Sequence, residues 1–383
     1  MAKTNARIDE LIQQIAAAAD SAENRRRRNV WEQPGTVPVS VMLEEPIASA
    51  KLWDYDVGAQ YFADPAFYME QTLRQKLWRF RHIADDAPIG LSLQAGLGYY
   101  PEYTYLGMGL RFDRQGVPII QEDHPLTKEK DLAFLKPVDF TTSGWMPRLL
   151  RWHEDITDIA AGRLKVSFPT WWRGPLDLAI QLRGYENFVT DTYEDPGFVH
   201  GLLTFITEQR NSWHRAYAAY FGRSVPATHI GDDWLNIPFI TPDLFREFVL
   251  ARYCDIAQCQ GGVPFVHSCG NQTPIQRDLL RITGLQSLEV SPWSDLEVCV
   301  RENIPETMYF VVALHPNDVL FAQDDEIRAK LTKIRGVCAG RSYSVATSGL
   351  TPIHHLSGEA AFTAKIGRFL TIAHEVFPRS LSI

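Results

Sequence analysis

The stretch Pro264-Phe265-Val266-His267-Ser268-Cys269-Gly270-Asn271 predicts a buried strand that ends in a pair of metal-binding side chains. Residues i and i+2 of a strand point to the same face, so His267 and Cys269 project together. Imidazole and thiolate are both good zinc donors. The last two residues of the stretch turn the chain toward a predicted helix. The pair by itself leaves an alternative open, which is a buried histidine beside an inert thiol.

The length and composition are those of a globular protein. Its 383 residues are 45% hydrophobic and 22% charged, as in ordinary globular proteins. The formal net charge of −8 argues against a nucleic-acid partner. No apolar run reaches the ~20 residues that span a membrane, and the N-terminus lacks an apolar signal segment. Five scattered cysteines favour a reducing compartment over a disulfide framework. We therefore expect a cytoplasmic protein, one domain over residues 1–383, with a small-molecule substrate.

Short β-rich runs alternate with longer helical stretches from about residue 88. This alternation favours a parallel sheet built from βα units. With the run at 37–43 there are eight predicted strands, which suits a closed (β/α)8 TIM barrel in the α/β class. An open doubly wound sheet is the alternative, but no Gly-x-Gly-x-x-Gly follows a strand, which argues against a dinucleotide fold. The predicted strands are 37–43, 90–94, 164–168, 227–231, 264–269, 287–290, 308–314 and 343–346. The predicted helices are 5–28, 66–83, 175–183, 195–221, 242–260, 274–282, 294–302, 325–335 and 357–376.

Two segments lie outside this alternation. Residues 1–36 are interpreted as an N-terminal helical extension, and its helix contains four consecutive arginines at 25–28. We interpret these arginines as a solvated helix end, where cations are favoured by the helix dipole. Residues 99–160 are rich in Tyr, Trp and Pro, and this segment is predicted to be an insertion over one end of the barrel.

Ionisable residues follow several predicted strands. Asp232 and Asp233 come after 227–231, Glu289 lies near the end of 287–290, and His315 follows 308–314. In barrels of this kind the chemistry gathers where strands end. Burying such groups costs several kcal/mol unless they are paired or ligated, so as a set they predict a functional cleft. Taken singly, each residue leaves an alternative open. Asp232 is then a helix cap, His315 is a core histidine with its hydrogen bonds satisfied, and Glu289 is the partner of an arginine.

A second polar cluster surrounds Arg173, which follows Trp171-Trp172 and precedes Gly174-Pro175. An arginine at this place can clamp a substrate carboxylate, with the tryptophans as pocket walls. The alternative is that the tryptophans belong to the core and that Arg173 pairs with an acidic neighbour.

Five short motifs are shared with a known superfamily: Gly174-Pro175-Leu176-Asp177-Leu178-Ala179, Arg183-Gly184, Gly231-Asp232-Asp233, His267-Ser268-Cys269-Gly270-Asn271 and Thr351-Pro352. In these motifs the chain resembles the uroporphyrinogen decarboxylase superfamily, from about residue 85 to the C-terminus. It is most similar to the methyltransferase branch, the methylcobamide:coenzyme M and corrinoid methyltransferases, which are related to cobalamin-independent methionine synthase. The resemblance implies a (β/α)8 barrel, in agreement with the strand count.

The resemblance also implies a zinc site. In the relatives, the His and Cys of the motif bind zinc together with a second Cys near the last strand. Here the corresponding window, about 344–354, has no cysteine, and Cys338 precedes the predicted strand. Glu289 stands about where the methionine synthase relatives supply a glutamate ligand, and His315 is a further candidate. The implied metal ligands are therefore His267, Cys269, Glu289 and His315, the last being replaceable by water.

The first functional hypothesis is a zinc-dependent methyltransferase. The open zinc position would bind a thiol and hold it as thiolate, and this thiolate would attack a methyl group from a corrinoid or a small methylated donor. Asp232 or Asp233 would orient a ligand or the substrate, and Arg173 would hold an anionic group of the acceptor. The chain lacks an Asp-x-His-x-x-Gly corrinoid motif, so any corrinoid would come on a partner protein. The oligomeric state is open and is compatible with a homodimer.

The second hypothesis is a metal-assisted lyase, decarboxylase or hydrolase on the same barrel, acting on a small carboxylate. The missing second cysteine motivates it, and Asp232 and Asp233 would then be the acid–base pair. Tetrapyrrole decarboxylation is disfavoured, because residues 30–35 lack the arginine-rich motif of the true decarboxylases. A non-catalytic binding protein on this barrel is the third alternative.

Overall fold

A five-stranded parallel sheet is the centre of the fold in the computed structural model, which describes residues 2–98, 100–116, 118–120, 124–301, 304–352 and 358–379. Its strands lie in chain order, and each is parallel to its neighbour. Parallel neighbours require crossover connections, which are helical here. The strands are β5 Ile230–Gly231, β6 Phe265–His267, β7 Ser287–Val290, β8 Tyr309–Leu314 and β9 Ser342–Thr347.

Further parallel segments extend this sheet at both edges. Val39 and Leu43 form bridges to the segment containing β9, and Arg173 forms a bridge to β5. β1 (Ser92–Gln94) pairs in parallel with β4 (Lys165–Ser167). The α/β class with parallel sheets is therefore confirmed. In the described residues, however, the hydrogen-bonded sheets do not join into one continuous barrel, so the predicted closure of eight strands is not shown.

Carboxylates take the place of strand pairing beside the run at 37–43. The backbone N–H groups of Val39 and Val41 donate to Asp86 and Asp85 at 2.9 and 3.0 Å. Arg79 in turn donates to the same Asp85 carboxylate at 2.5 Å. Backbone donors that a neighbouring strand would accept are thus satisfied by side chains. Because side chains take the place of a neighbouring strand, the run at 37–43 forms bridges to β9 but no ladder with β1.

Sixteen α-helical segments occur in the described residues, and they surround the strands. They are α1 Ala2–Ala19, α2 Ala22–Glu32, α3 Ile47–Trp53, α4 Pro65–His82, α5 Pro101–Tyr105, α6 Met146–Ala160, α7 Pro175–Arg183, α8 Tyr185–Glu194, α9 Pro196–Tyr220, α10 Pro242–Leu244, α11 Leu250–Gln260, α12 Gln276–Leu279, α13 Leu296–Arg301, α14 Pro316–Leu320, α15 Asp324–Val337 and α16 Glu359–Val376. A π-helical segment, Phe245–Val249, joins α10 to α11. The predicted ends of two helices, 302 and 357, lie outside the described residues.

The segment 99–160 contains regular elements that the sequence pattern did not predict. It holds α5, α6 and an antiparallel hairpin of β2 (Leu110–Phe112) and β3 (Pro118–Ile120). The long helix α6 lies between β1 and β4 in the chain, which is the place of a barrel crossover helix. The segment is therefore only partly an insertion.

The N-terminal helix differs from its prediction in two ways. The predicted helix 5–28 is broken, because the Ser21 hydroxyl accepts a hydrogen bond from the Asn24 N–H and caps α2. The interpretation of the arginines as a solvated end is wrong for Arg27, which is 2% exposed. Its guanidinium donates to the backbone carbonyls of Phe80 and Ile83, so it attaches α2 to the end of α4.

One hydrophobic core runs from Ile8 in α1 to Phe377 after α16. The strands supply its centre and the inner faces of the helices surround it, as Phe310 of β8 and Phe369 of α16 illustrate. Among the helices that the structure describes, none combines the length and the apolar character that crossing a lipid bilayer requires.

Candidate metal centre

Three possible metal donors meet at the carboxyl ends of β5 and β6: Asp233, His267 and Cys269. The Cys269 sulfur lies 3.2 Å from Asp233 Oδ1 and 3.4 Å from His267 Nε2. His267 Nε2 and Asp233 Oδ1 are 3.7 Å apart. Donors around a tetrahedral zinc ion, at bond lengths of about 2.0–2.3 Å, lie roughly 3.3–3.7 Å from one another. The three side chains therefore fit a zinc ion with one coordination position left open.

The parallel register of β5 and β6 brings these donors together. Gly231 pairs with His267, and the Asp232 N–H donates to the His267 carbonyl at 3.0 Å. Gly231 is required at this place, because a Cβ there would lie 1.9 Å from the Trp172 indole nitrogen. Trp172 can therefore pack beside the His267 ring, at 6.2 Å between ring centroids.

Glu289 orients the imidazole of His267. Its carboxylate lies 2.7 Å from His267 Nδ1, so Nε2 is the nitrogen that faces Cys269. Such a carboxylate–histidine pair is the usual support of a metal-binding imidazole. Burial works to lower the pKa of His267, but its hydrogen bonds with Cys269 and Glu289 outweigh burial and raise the pKa well above its usual value. The structure thus places Glu289 behind His267 and outside the three-donor group.

Arg173 is paired within the protein. Its guanidinium lies 2.6 Å from a carboxylate oxygen of Asp177 and 2.6 Å from Asp233 Oδ2, and it stacks over Tyr100 at 4.3 Å. Burial works to raise the pKa of Asp233, but the Arg173 charge outweighs it and the pKa lies below its usual value. This geometry matches pairing with acidic neighbours and leaves Arg173 poorly placed to clamp a substrate carboxylate.

Asp232 has a different environment from Asp233. Its side chain is fully buried, and its Oδ2 accepts hydrogen bonds from the Tyr253 hydroxyl at 2.8 Å and the Leu176 N–H at 3.1 Å. Burial, aided by the nearby Asp177 charge, raises the pKa of Asp232 well above its usual value. The two neighbouring aspartates are therefore separated, with Asp232 bound to the start of α7 and Asp233 beside Cys269.

His315 lies outside the donor group. Its Nδ1 accepts a hydrogen bond from the Asn317 N–H at 3.1 Å and caps α14. The ring also makes an edge contact with Trp293, at 5.5 Å between centroids. The structure thus gives His315 a local role at the helix start, and the described donor group consists of Asp233, His267 and Cys269.

Sequence reasoning missed several side chains that support the centre. Glu102 of α5 accepts hydrogen bonds from the N–H groups of Trp172 and Arg173 at 2.5 and 3.3 Å, and burial raises its pKa. Asp177 pairs with Arg173 from the first turn of α7. Asp177 lies in the Gly-Pro-Leu-Asp motif, so that motif could have indicated its role. No local sequence feature indicated the role of Glu102.

A cavity of about 590 Å³ lies beside helix α4, and a larger one of about 890 Å³ adjoins the donor group. The larger volume is within the range of small-molecule sites. Its lining near the donors includes Trp172, His267, Cys269, Glu289 and Trp293. The donor group is therefore accessible to a small molecule.

The family follows from a comparison of sequence. Residues 100–350, more than half of the chain, match the family model for uroporphyrinogen decarboxylase (URO-D). The chain belongs to the URO-D family. Its members share a TIM-barrel-like α/β fold, which agrees with the parallel strands found here. No curated protein matches the chain at a significant level.

Solved structures include a similar fold. One is a methyltransferase from Methanosarcina mazei, which is 16% identical in sequence and superposes with a TM-score of 0.63. The match covers 92% of this URO-D family chain and 98% of the methyltransferase chain. At this identity the likeness shows the fold alone. Family and fold together agree with the resemblance to the methyltransferase branch of the URO-D superfamily, and they support an enzymatic role.

Proposed function

We propose that this URO-D family protein is a zinc-dependent methyltransferase that moves a methyl group to a thiol-type acceptor. The observation that carries the proposal is the group of Asp233, His267 and Cys269, whose donor atoms all lie within 4.8 Å of one another. The fit of their separations to tetrahedral zinc, with one open position, supports a catalytic site over a closed structural one. The methyltransferase named among similar structures is consistent with this choice.

The surrounding residues hold the donors in place. Glu289 accepts a hydrogen bond from His267 Nδ1, and Arg173 donates one to Asp233 Oδ2. His267 Nε2 and Asp233 Oδ1 are thereby left facing Cys269. When bound at these atoms, zinc would lower the pKa of a substrate thiol and favour its thiolate. Cys269 is exposed, so a substrate thiol can reach the donor group from the cavity. In this assignment Asp233 replaces the second cysteine of the relatives.

The methyl donor in this proposal is a corrinoid carried by a partner protein, or a small methylated molecule. The described donor group is beside a cavity and not sealed, which either donor requires. A cytoplasmic location and the TIM-barrel closure remain parts of the proposal. The cytoplasmic location is supported by the five cysteines, none of which forms a disulfide in the structure, and barrel closure is supported by the parallel order of the strands.

Metal analysis of the purified protein tests the proposal. We expect about one zinc per chain in the wild type, and its loss in His267→Ala and Cys269→Ala. Cys259→Ser is the matched control, because Cys259 lies on α11 near Arg215 and away from the donor group. Methyl transfer from methylcobalamin to simple thiols should follow the zinc content. Full zinc content in both ligand variants would contradict the assignment.

The alternative lyase or hydrolase receives less support. It needs Asp232 and Asp233 to exchange protons with one substrate, yet Asp232 is fully buried and hydrogen-bonded to Tyr253. Asp233 is held by Arg173, which favours its ionised form. We therefore retain methyl transfer as the function that the geometry supports best.

A further inference from the structure

The larger cavity continues from the donor group along the inside of the sheet. Its lining includes His267 and Cys269 at the carboxyl ends of the strands, and Trp31, Ala87 and Pro88 before the amino ends of the first two strand segments. It also includes Phe265, the first residue of β6. The four residue steps from Phe265 to Cys269 correspond to about 13 Å at the rise of an extended strand. The cavity therefore forms a channel that reaches from the metal donors to the first residue of β6, and it is not a shallow cup around the donors.

Small side chains create this space. The lining positions on the strand segments include Ser40, Ser287, Ala313 and Ala346. In a packed barrel the corresponding interior layers are filled by bulky branched side chains. Here the four short side chains leave the interior open, and the space reaches about 890 Å³.

Large apolar side chains line this space and remain partly exposed. Trp31, Met42 and Trp293 line the cavity, and they remain 42%, 52% and 52% exposed. Within the run at 37–43, Ser40, Val41, Met42 and Leu43 all line the cavity, and Met42 is the large side chain among them that stays exposed. Covering such surfaces with an apolar ligand is favourable, because it removes them from water.

The lining offers little positive charge to the tail of an anionic ligand. Among the lining residues, Arg79 is the one arginine or lysine, and it is bonded to Asp85 and to the Val41 carbonyl. Glu45 lines the same space, and burial raises its pKa to about 8, so it supplies no positive charge. Among the described lining residues, an anionic tail away from His267 would thus find no unpaired arginine or lysine to offset the cost of its burial.

We propose that the substrate bound here carries an uncharged, elongated apolar tail that lies along the channel, with its reacting head at Asp233, His267 and Cys269. This inference rests on the proposed methyl transfer and names the substrate class for it. An alkyl chain or a narrow ring system would cover Trp31 and Met42, and its thiol or methylated end would reach Cys269.

Binding of linear 1-alkanols, from butanol to decanol, tests the channel without requiring zinc. Titration calorimetry should show a dissociation constant that falls about fourfold with each added methylene until the channel is full. Ala313→Phe and Ser287→Leu should abolish this dependence, each by filling the interior from a different strand. Ala360→Phe, at an exposed position of α16, is the matched control for an added ring. A dissociation constant that does not change with chain length in the wild type would overturn the inference.

A second arm compares thiol acceptors in the methyl-transfer assay. 1-Hexanethiol should exceed 3-mercaptopropionate by at least tenfold in kcat/KM, and Ala313→Phe should remove that preference. A preference for the carboxylate would overturn the channel inference while leaving methyl transfer intact. Chain-length-dependent alkanol binding without zinc or methyl transfer would instead overturn the proposed function and retain the channel.

Discussion

Glu289 and His267 lie on adjacent strands, and the carboxylate is 2.7 Å from the imidazole Nδ1. Because Nδ1 is held by this carboxylate, Nε2 is free for a metal ion beside Cys269. Glu289→Ala should therefore weaken zinc binding about 10–100-fold without unfolding the protein. Competition with a chromophoric chelator measures the affinity. Glu297→Ala, a change at an exposed helix position, is the control and should leave zinc affinity unchanged.

Arg173 neutralises two carboxylates in a buried place, so its loss should be costly. Arg173→Met leaves Asp177 buried without its partner, and we expect a loss of about 3–5 kcal/mol in the free energy of unfolding. Urea denaturation measures it. Arg246→Met, which breaks exposed ion pairs, should cost less than about 1 kcal/mol. Adding Asp177→Asn to Arg173→Met should recover part of the loss, and an unchanged stability on removing Arg173 would refute the buried-pair account.

Position 232 should tolerate the replacement of aspartate by asparagine. The side chain is buried with a raised pKa, so Asp232→Asn keeps its neutral state and an acceptor for Tyr253 and the Leu176 N–H. We expect zinc content and kcat within about threefold of the wild type, whereas Asp232→Ala should cost about 1–3 kcal/mol of stability. Activity assays and urea denaturation decide this. A complete loss of activity in the well-folded amide variant would return Asp232 to the catalytic residues.

Glu45 should make stability depend on pH. Burial raises its folded-state pKa from 4.5 to about 8, so the unfolded chain releases this proton first as the pH rises. The free energy of unfolding should then fall between about pH 4.5 and pH 8 and level off above that. Because the side chain keeps partial exposure, we expect a loss of roughly 3 kcal/mol, less than the full shift implies. Glu45→Gln should flatten this part of the stability curve, and an identical curve would contradict the assignment.

Gly231 allows Trp172 to approach the site. Gly231→Ala would place a Cβ 1.9 Å from the indole nitrogen, so the ring must move away from His267. We expect a loss of about 1–3 kcal/mol in stability together with weaker zinc binding. Gly367→Ala is the control, because nothing lies within 4 Å of the added carbon on α16, and it should stabilise the helix by about 1 kcal/mol. Thermal unfolding of the two variants should therefore shift in opposite directions.

The parts of the fold that depend on local pattern were predicted closely. The predicted helix 175–183 is α7, and the predicted strand 287–290 is β7. Helix α7 carries proline at its start and glycine after its end, where each residue is favoured. The run at 37–43 failed to form a ladder because Asp85 and Asp86, more than 40 residues away, bind its N–H groups. No local pattern records that contact.

In the donor group, too, local pattern predicted one part and tertiary contacts determine the other. The alternation of a strand predicted that His267 and Cys269 point together, and the structure has their donor atoms 3.4 Å apart. The third donor depends on the register between β5 and β6 and on the space left by Gly231. Both are tertiary features. The sequence suggested Glu289 as a ligand, whereas the group of possible donors in the described residues contains Asp233.

Tyr100 and Glu102, at the start of helix α5, support the residues beside the donor group: Tyr100 stacks under the Arg173 guanidinium, and Glu102 accepts the backbone N–H groups of Trp172 and Arg173. If zinc binds as proposed, these two residues of the segment 99–160 would influence, through Arg173, how much negative charge Asp233 donates to the ion. Sequence change in that segment would make the ion more or less electrophilic while every coordinating side chain stayed the same. In the proposed site, the reactivity of the ion would thus depend also on residues that do not contact it.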